Sequence, residues 1–373
     1  MRSIVSPEDQ SATFIELFFD LVFVFSVTQV VGLFHHGIHW STVGQAVLVF
    51  WLVWWAWTQF TWALNAADTT HPLIDLLVLI ATGVAFFMAV ALPNAFHTHA
   101  LSFAIPYVVV RIIGLGIYGW VARADRAHRA AVFTFGVLSS AGLLAVLLGG
   151  YFAGAAQYWL WGLAIGLDVL AAGIGGRLEG WNLHPKHFGE RHGLFVIIAL
   201  GETLIVAAGG LVGENWNGAR TAVAVLAVAT SCALWWTYFA RAHASLEHAM
   251  GSVQGAAQSS MGRDVFSLLH YPMLCGVIAY AVAIEEAVAH PDQPLALSGR
   301  AALALGILLF VDGMAVAAWR ATSRWAHRRV VFSGATAAAI IGLSGVSAGG
   351  SLAMACVGVV LIALAEQNLA SYP

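Results

Sequence analysis

The chain has 373 residues, a net charge of −3, and a composition that is 60% hydrophobic and only 9% charged. A soluble domain carries about 25% charged residues to keep its surface wet, so no water-soluble fold of this size could cover itself with so few. Near-neutral charge and a single lysine, Lys186, argue against a nucleic-acid-binding surface.

In chain order, apolar runs predict spans at roughly 14–34, 43–64, 73–93, 101–121, 130–150, 158–176, 193–213, 221–240, 267–288, 300–319, 331–347 and 350–366. Most are long enough to cross a bilayer core of ~30 Å. The last two are the shortest, and a re-entrant hairpin is the alternative there. The runs do not alternate, which argues against a transmembrane barrel. The opening segment 1–11 lacks a basic start, and the apolar run after it contains Glu16 and Asp20; it reads as a retained first helix and not as a signal peptide. The expected class is all-α: a polytopic membrane helical bundle of about twelve transmembrane helices.

The basic residues assign an orientation. With the N-terminus inside, the inner segments hold Arg2, Arg123, Arg126, Arg129, Arg177, Lys186, Arg191, Arg241, Arg263, Arg320, Arg324, Arg328 and Arg329. The outer segments hold only Arg220 and Arg300, and Arg111 falls within a span. Such a bias over short loops is a positive-inside signal. It predicts a multi-pass protein of the cell membrane with both termini cytoplasmic. A faint repeat pairs Phe14-Ile15-Glu16 with Phe188-Gly189-Glu190, and Trp57-Thr58-Gln59-Phe60 with Trp236-Thr237-Tyr238-Phe239. It suggests two six-helix halves, 1–180 and 181–373, repeated in parallel within one membrane domain, as in many transporters. Chance similarity between apolar helices is the alternative.

Ionisable side chains within a span cost at least ~2.5–3.5 kcal/mol on insertion scales, so each calls for a reason. Glu16 and Asp20 are four residues apart, hence on one helix face. Glu202 falls near the middle of span seven, with Arg191 at that helix's entrance. Asp168, Asp312 and Arg111 are the others; a structural pair between Arg111 and one of the acids is the plain alternative to function. On span two, Thr58, Thr61, Asn65 and Asp68 form a polar stripe at helical spacing. Trp51, Trp54, Trp55, Trp57 and Trp62 crowd the same helix. They read either as packing or as an aromatic wall beside a polar pathway, with Trp55 and Trp62 as substrate contacts. Span eight carries a weaker stripe in Thr230, Thr237 and Arg241.

Histidines cluster at His35/His36/His39, His97/His99 and His184/His187/His192. Without an accompanying carboxylate or cysteine pattern they read as surface or pH-responsive groups, with a metal site as the alternative. Cys232, Cys275 and Cys356 read as free packing thiols. The spacings Gly162/Gly166 and Gly345/Gly349 suit close helix packing.

Two segments carry a family likeness. The run from Phe14 to Phe25, FIELFFDLVFVF, and the run from Glu190 to Thr203, ERHGLFVIIALGET, resemble the bacterial low temperature requirement protein A family. The likeness covers nearly the whole chain, including the tryptophan-rich second span and the Trp-Trp-x-Tyr-Phe stretch of span eight. The chain departs from the pattern at His192, where an aromatic residue is expected. The residues this likeness picks out are Glu16, Asp20, Glu190, Arg191 and Glu202. It implies the membrane architecture but supplies no reaction, since the family is named for growth in the cold.

The leading functional expectation is an ion-coupled secondary transporter or permease. Glu16, Asp20 and Glu202 would carry protons or a cation, with Arg191 or Arg111 tuning them. Trp55, Thr58, Trp62, Asn65, Asp68, Glu190 and Arg191 would contact substrate. The alternative is a membrane-embedded enzyme that uses a buried carboxylic acid and aromatic walls on a lipid or isoprenoid. A sensor or scaffold is a third. No nucleotide-binding motif is present, no cofactor or metal is expected, and the partners are membrane lipids and a small molecule or ion. Self-association into a homo-oligomer stays open.

Overall fold

The computed structural model describes residues 4–7, 10–97, 99–177, 181, 183–212 and 216–367; Arg2 of the orientation argument lies outside them. Twelve helices account for nearly all of the described chain. They are α1 (Phe14–Gly32), α2 (Trp40–Ala66), α3 (Pro72–Ala91), α4 (Ala100–Val121), α5 (Arg126–Phe152) and α6 (Gly154–Gly175). Then follow α7 (Pro185–Gly209), α8 (Gly218–Gly251), α9 (Gly255–Ala289), α10 (Leu297–Thr322), α11 (His327–Gly342) and α12 (Ala348–Gln367). Among the described residues the extended pairings are two isolated bridges, Val5–Ala67 and Pro294–Ser347. Eleven of the helices are long and apolar enough to cross a membrane. The exception is α11: its 16 residues rise about 24 Å, short of a ~30 Å core. This is a multi-pass membrane protein.

Three helices run past the ends expected of them. Helix α7 starts at Pro185, so His187, Phe188, Glu190, Arg191 and His192 lie on the helix instead of in a loop before it. Proline at the first helical position explains the start, because its missing N–H would find no partner there anyway. Helices α8 and α9 extend through the segment between spans eight and nine by way of π-helical turns at Tyr238–Ala242 and Gly262–Leu268. Such turns shift the backbone ladder and often mark functional positions.

The chain divides into two compact units, one of residues 1–192 and 247–267, the other of 193–246 and 268–373. In the first, α2 is the most enclosed helix, with 78% of its apolar window buried against 33% for α6. Its tryptophans Trp54, Trp55, Trp57 and Trp62 are buried and fill the space between α1, α4 and α6, whereas Trp40 at the helix start is exposed. The outer face of α3 shows Leu73, Leu76, Phe86 and Phe87, the apolar exterior that suits hydrocarbon.

In the second unit α9 packs on α10 at a crossing of glycines. A Cβ on Gly276 would come within 2.7 Å of the Gly306 carbonyl oxygen and 2.8 Å of the Phe310 nitrogen. At Gly162, Gly166 and Gly345, by contrast, an added Cβ would meet nothing within 4 Å, so the close approach expected of those spacings occurs elsewhere. We expect Gly276→Ala to cost about 1–3 kcal/mol through overpacking against backbone that cannot yield. Thermal melting in detergent reads this, and an unchanged melting temperature would show that the helices separate freely.

Candidate functional site

Two helices begin side by side in the first unit and present matched residues. On α1 these are Glu16 and Asp20; on α7 they are His187 and Arg191. Each pair is four residues apart, which places both members on one face about 6 Å apart along the axis. Arg191 donates to Glu16 Oε1 (2.5 Å) and to Asp20 Oδ1 (2.7 Å), while His187 Nε2 lies 3.1 Å from Glu16 Oε1. All four side chains are 0% exposed. Glu16 has a second task in the first turn of α1. Its Oε2 accepts from the Thr13 backbone N–H (2.9 Å) and hydroxyl (3.0 Å), closing the helix start where a carboxylate also suits the helix dipole.

Helix α2 completes the shell. Trp57 Nε1 donates to Asp20 Oδ1 at 2.7 Å, and its ring lies 5.6 Å from the Arg191 guanidinium carbon. Asn65 reaches His187, with its Nδ2 2.9 Å from Nδ1 of the imidazole. The orientation of that amide is fixed by the backbone of His184, whose N–H donates to Oδ1 (2.8 Å) and whose carbonyl accepts from Nδ2 (3.2 Å). Asn65 therefore turns a donor toward His187, and Nδ1 must accept. In that arrangement the hydrogen on Nε2 is aimed at Glu16. Both Glu16 oxygens and Asp20 Oδ1 are engaged, whereas buried Asp20 Oδ2 has no hydrogen-bond partner among the described residues.

The remaining expected residues fall in different places. Glu190 holds the approach to α1, its Oε2 accepting from the Ala12 N–H at 3.1 Å. Asp68 lies past the end of α2, so the helical polar stripe stops at Asn65. Its carboxylate instead caps a turn by accepting from the Thr70 N–H (2.9 Å) and hydroxyl (2.7 Å). Glu202 belongs to the second unit and is buried there on α7, next to Thr203, whose hydroxyl pairs with Ser231 at 2.7 Å. Asp312, also in the second unit, accepts from Ser333 at 2.7 Å.

Of the histidines expected as surface or pH-responsive groups, His187 and His192 do not lie at the surface but are buried, because α7 starts early enough to include them. His192 stands where the family pattern favours an aromatic residue, and it behaves as one. Its ring meets those of Trp57 (5.0 Å), Phe188 (4.6 Å) and Phe266 (5.2 Å), and its Nδ1 donates to the Phe188 carbonyl at 2.8 Å.

Arg111 and Asp168 form a second buried pair, from α4 and α6. Arg111 donates to Asp168 Oδ1 (3.0 Å) and Oδ2 (3.3 Å), to the Tyr107 hydroxyl (2.5 Å), and to Gln59 and Ser139. One cation balances one anion, every donor has a partner, and four helices are tied together. This is the structural pairing that stood as the alternative to function for these two residues.

Beside the first cluster, the same unit holds a small pocket with about 30 Å³ of space. Trp55, Thr58 and Trp62 of α2 line it, as do Tyr118, Phe135, Trp181 and, from the π-helical turn of α9, Arg263 and Ser267. The turn is pinned by α2: Trp54 Nε1 donates to the Ser267 carbonyl (2.7 Å) and Trp62 Nε1 to its hydroxyl (2.8 Å). The sequence pointed to the α2 wall only. Trp181, Tyr118 and Phe135 come from separate elements that no spacing connects. His187, by contrast, was within reach, since it precedes Arg191 by one helical turn.

The family model for the bacterial low temperature requirement A protein matches residues 11–365. The chain belongs to this family. It is also similar to the uncharacterized protein RA0937 of Rhizobium meliloti (strain 1021), 27% identical over 320 residues that cover 83% of this chain and 77% of that protein. The span matched by the family model includes both halves of the buried cluster, from Glu16 to Arg191.

Proposed function

We propose that this protein is a proton-coupled secondary transporter in which Asp20 binds the transported proton. The observation that carries the reading is the charge balance of the α1–α7 cluster. Two carboxylates face one guanidinium, and Asn65 donates to Nδ1 of His187. An uncompensated buried charge costs several kcal/mol, so the resting cluster keeps one proton. Asp20 Oδ2 is the oxygen with room for it. Deprotonation would leave an unbalanced anion, and that penalty is what can couple proton movement to a change of conformation. An intramembrane enzyme draws less support. Among the described residues that line the aromatic pocket there is no carboxyl group, so general-acid chemistry there lacks a donor.

Infrared difference spectra of the purified protein across a pH step test this directly. We expect a carboxylic-acid C=O band that titrates in the native chain and is missing from Asp20→Asn. A band that survives the substitution would overturn the assignment of the proton to Asp20.

The orientation that fits this reading has the starts of α1 and α7 toward the cytoplasm, as the arginine distribution suggests. Cysteines introduced at 123–129 or 320–324 should then resist an impermeant maleimide in intact cells and react after permeabilisation. Ready labelling from outside would reverse the orientation.

A further inference from the structure

We propose that the turn between α10 and α11, with the end of α12 beside it, binds the headgroup of an anionic phospholipid such as phosphatidylglycerol. Such a site is independent of the transport reading above.

Charge selects the sign of the ligand. Arg320, Arg324, Arg328 and Arg329 fall within ten residues, and the sequence from 313 to 365 contains no aspartate or glutamate. The arginines between α4 and α5 differ, because Asp125 sits among Arg123, Arg126 and Arg129 and caps α5 through the Ala127 N–H (2.9 Å). Around the α10–α11 turn, Arg320, Arg324 and Arg328 are exposed. Buried Arg329 anchors the start of α11, its Nη2 donating to the Thr237 carbonyl at 3.0 Å. Arg328 is held more loosely, with its Nη1 3.4 Å from the Ala365 carbonyl on α12. Among the described residues Arg324 bonds through its backbone N–H alone, to the Thr322 hydroxyl (3.3 Å). Its guanidinium keeps its charge at any working pH, and the forked donors match the oxygens of a phosphate.

The surroundings select a lipid over a free anion. Trp319 and Trp325 are both exposed and meet edge-on at 6.1 Å; amphipathic rings of this kind settle at the headgroup level. Ser323, in the left-handed region at φ 58°, ends α10, and its N–H donates to the Trp319 carbonyl at 2.7 Å. The tight turn brings Trp325 back against the last turn of α10. Helix α11, with 16 residues, rises several Å less than the hydrocarbon core is thick. A bilayer thins to meet so short a helix, which draws phosphates toward Arg324 and Arg328 at its start. An apolar strip then leads from the arginines toward the hydrocarbon. Val331 is exposed three residues after Arg328, and Leu361 and Leu364 are exposed on α12 beside the Ala365 carbonyl that Arg328 reaches. An acyl chain can lie on that strip, whereas inorganic phosphate has no use for it.

Binding of phosphatidylglycerol with a fluorescent acyl chain to the full-length protein in maltoside micelles, read by anisotropy, tests the site. Unlabelled phosphatidylglycerol, phosphatidylcholine and soluble glycerol phosphate serve as competitors. We expect phosphatidylglycerol to displace the probe, phosphatidylcholine to do so much more weakly, and glycerol phosphate to have no effect at equal concentration. An arginine beside an anionic lipid surface is worth about fivefold in affinity, so Arg324→Gln combined with Arg328→Gln should weaken binding about tenfold or more. Arg126→Gln combined with Arg129→Gln removes equal charge elsewhere and should leave binding near native. Elution profile and melting temperature check the fold of each variant. Arg324→Glu alone, at a side chain that holds nothing else in place, should show a comparable loss and serves where the double variant folds poorly. Equal weakening by the two double variants would reduce the effect to net charge and overturn the proposal. Equal displacement by phosphatidylcholine would mean adsorption of acyl chains, and displacement by glycerol phosphate would make the ligand a soluble anion; either result overturns it as well.

Discussion

Arg191→Met is expected to abolish or nearly abolish accumulation of folded protein, whereas Asp20→Asn is expected to leave stability close to native. The asymmetry follows from charge balance. Removing the guanidinium strands Glu16 and Asp20, both 0% exposed and joined to Arg191 at 2.5 and 2.7 Å. Breaking a buried pair from one side costs ~3–5 kcal/mol, a large part of a typical stability of about 5–15 kcal/mol. Asp20→Asn removes a carboxylate instead. Glu16 and Arg191 then balance, and the amide can still accept from Trp57 and Arg191. Melting temperature and monodisperse yield in detergent measure both. Equal damage from the two substitutions would mean that shape, not charge, holds the cluster, and the proton assignment would fall with it.

The second large effect concerns the Arg111–Asp168 pair. Arg111→Met alone should lower stability by ~3–5 kcal/mol, because it leaves the Asp168 carboxylate buried without a cation. Adding Asp168→Leu should recover most of the loss, because replacing a whole buried pair by apolar groups of similar size is often neutral. The recovery will be incomplete, since Tyr107, Gln59 and Ser139 also lose their donor. A double-mutant cycle on melting temperature reads the coupling. Additive losses would show that the two residues do not act as a pair. Neither change touches the proposed proton site, so a double variant that folds should keep the Asp20 infrared band.

How much of this was legible beforehand varies with the kind of information involved. Membrane crossing is a local property: a run of about twenty apolar residues declares itself whatever its neighbours do, and the helical class followed from that alone. The i, i+4 spacing of Glu16 and Asp20 likewise placed both carboxylates on one face without any knowledge of α7. Element ends were harder. Prolonged polar stretches such as 185–192 and 241–266 read as loops, because single-segment hydropathy does not register that a polar residue buried against a partner is as compatible with a helix as an apolar one. His187 and Arg191 look unsuited to a membrane helix until Glu16 and Asp20 are set opposite them.

What only the tertiary structure decided is pairing. The sequence offered Arg111 several carboxylates and Arg191 several more. The packing of α5 against both α4 and α6 assigns Asp168 to the first, and the neighbouring starts of α1 and α7 assign Glu16 and Asp20 to the second. The hydrogen bonding of His187 depends on an amide orientation fixed by the backbone of His184, more than a hundred residues from Asn65 along the chain. The pocket behind Thr58 is closed by Trp181 and by a π-helical turn that carries Arg263 and Ser267. Composition and periodicity act along the chain and specify which faces must be buried; which buried groups meet depends on contacts between distant segments, where hydrogen-bond geometry and charge balance choose among partners that hydropathy treats alike.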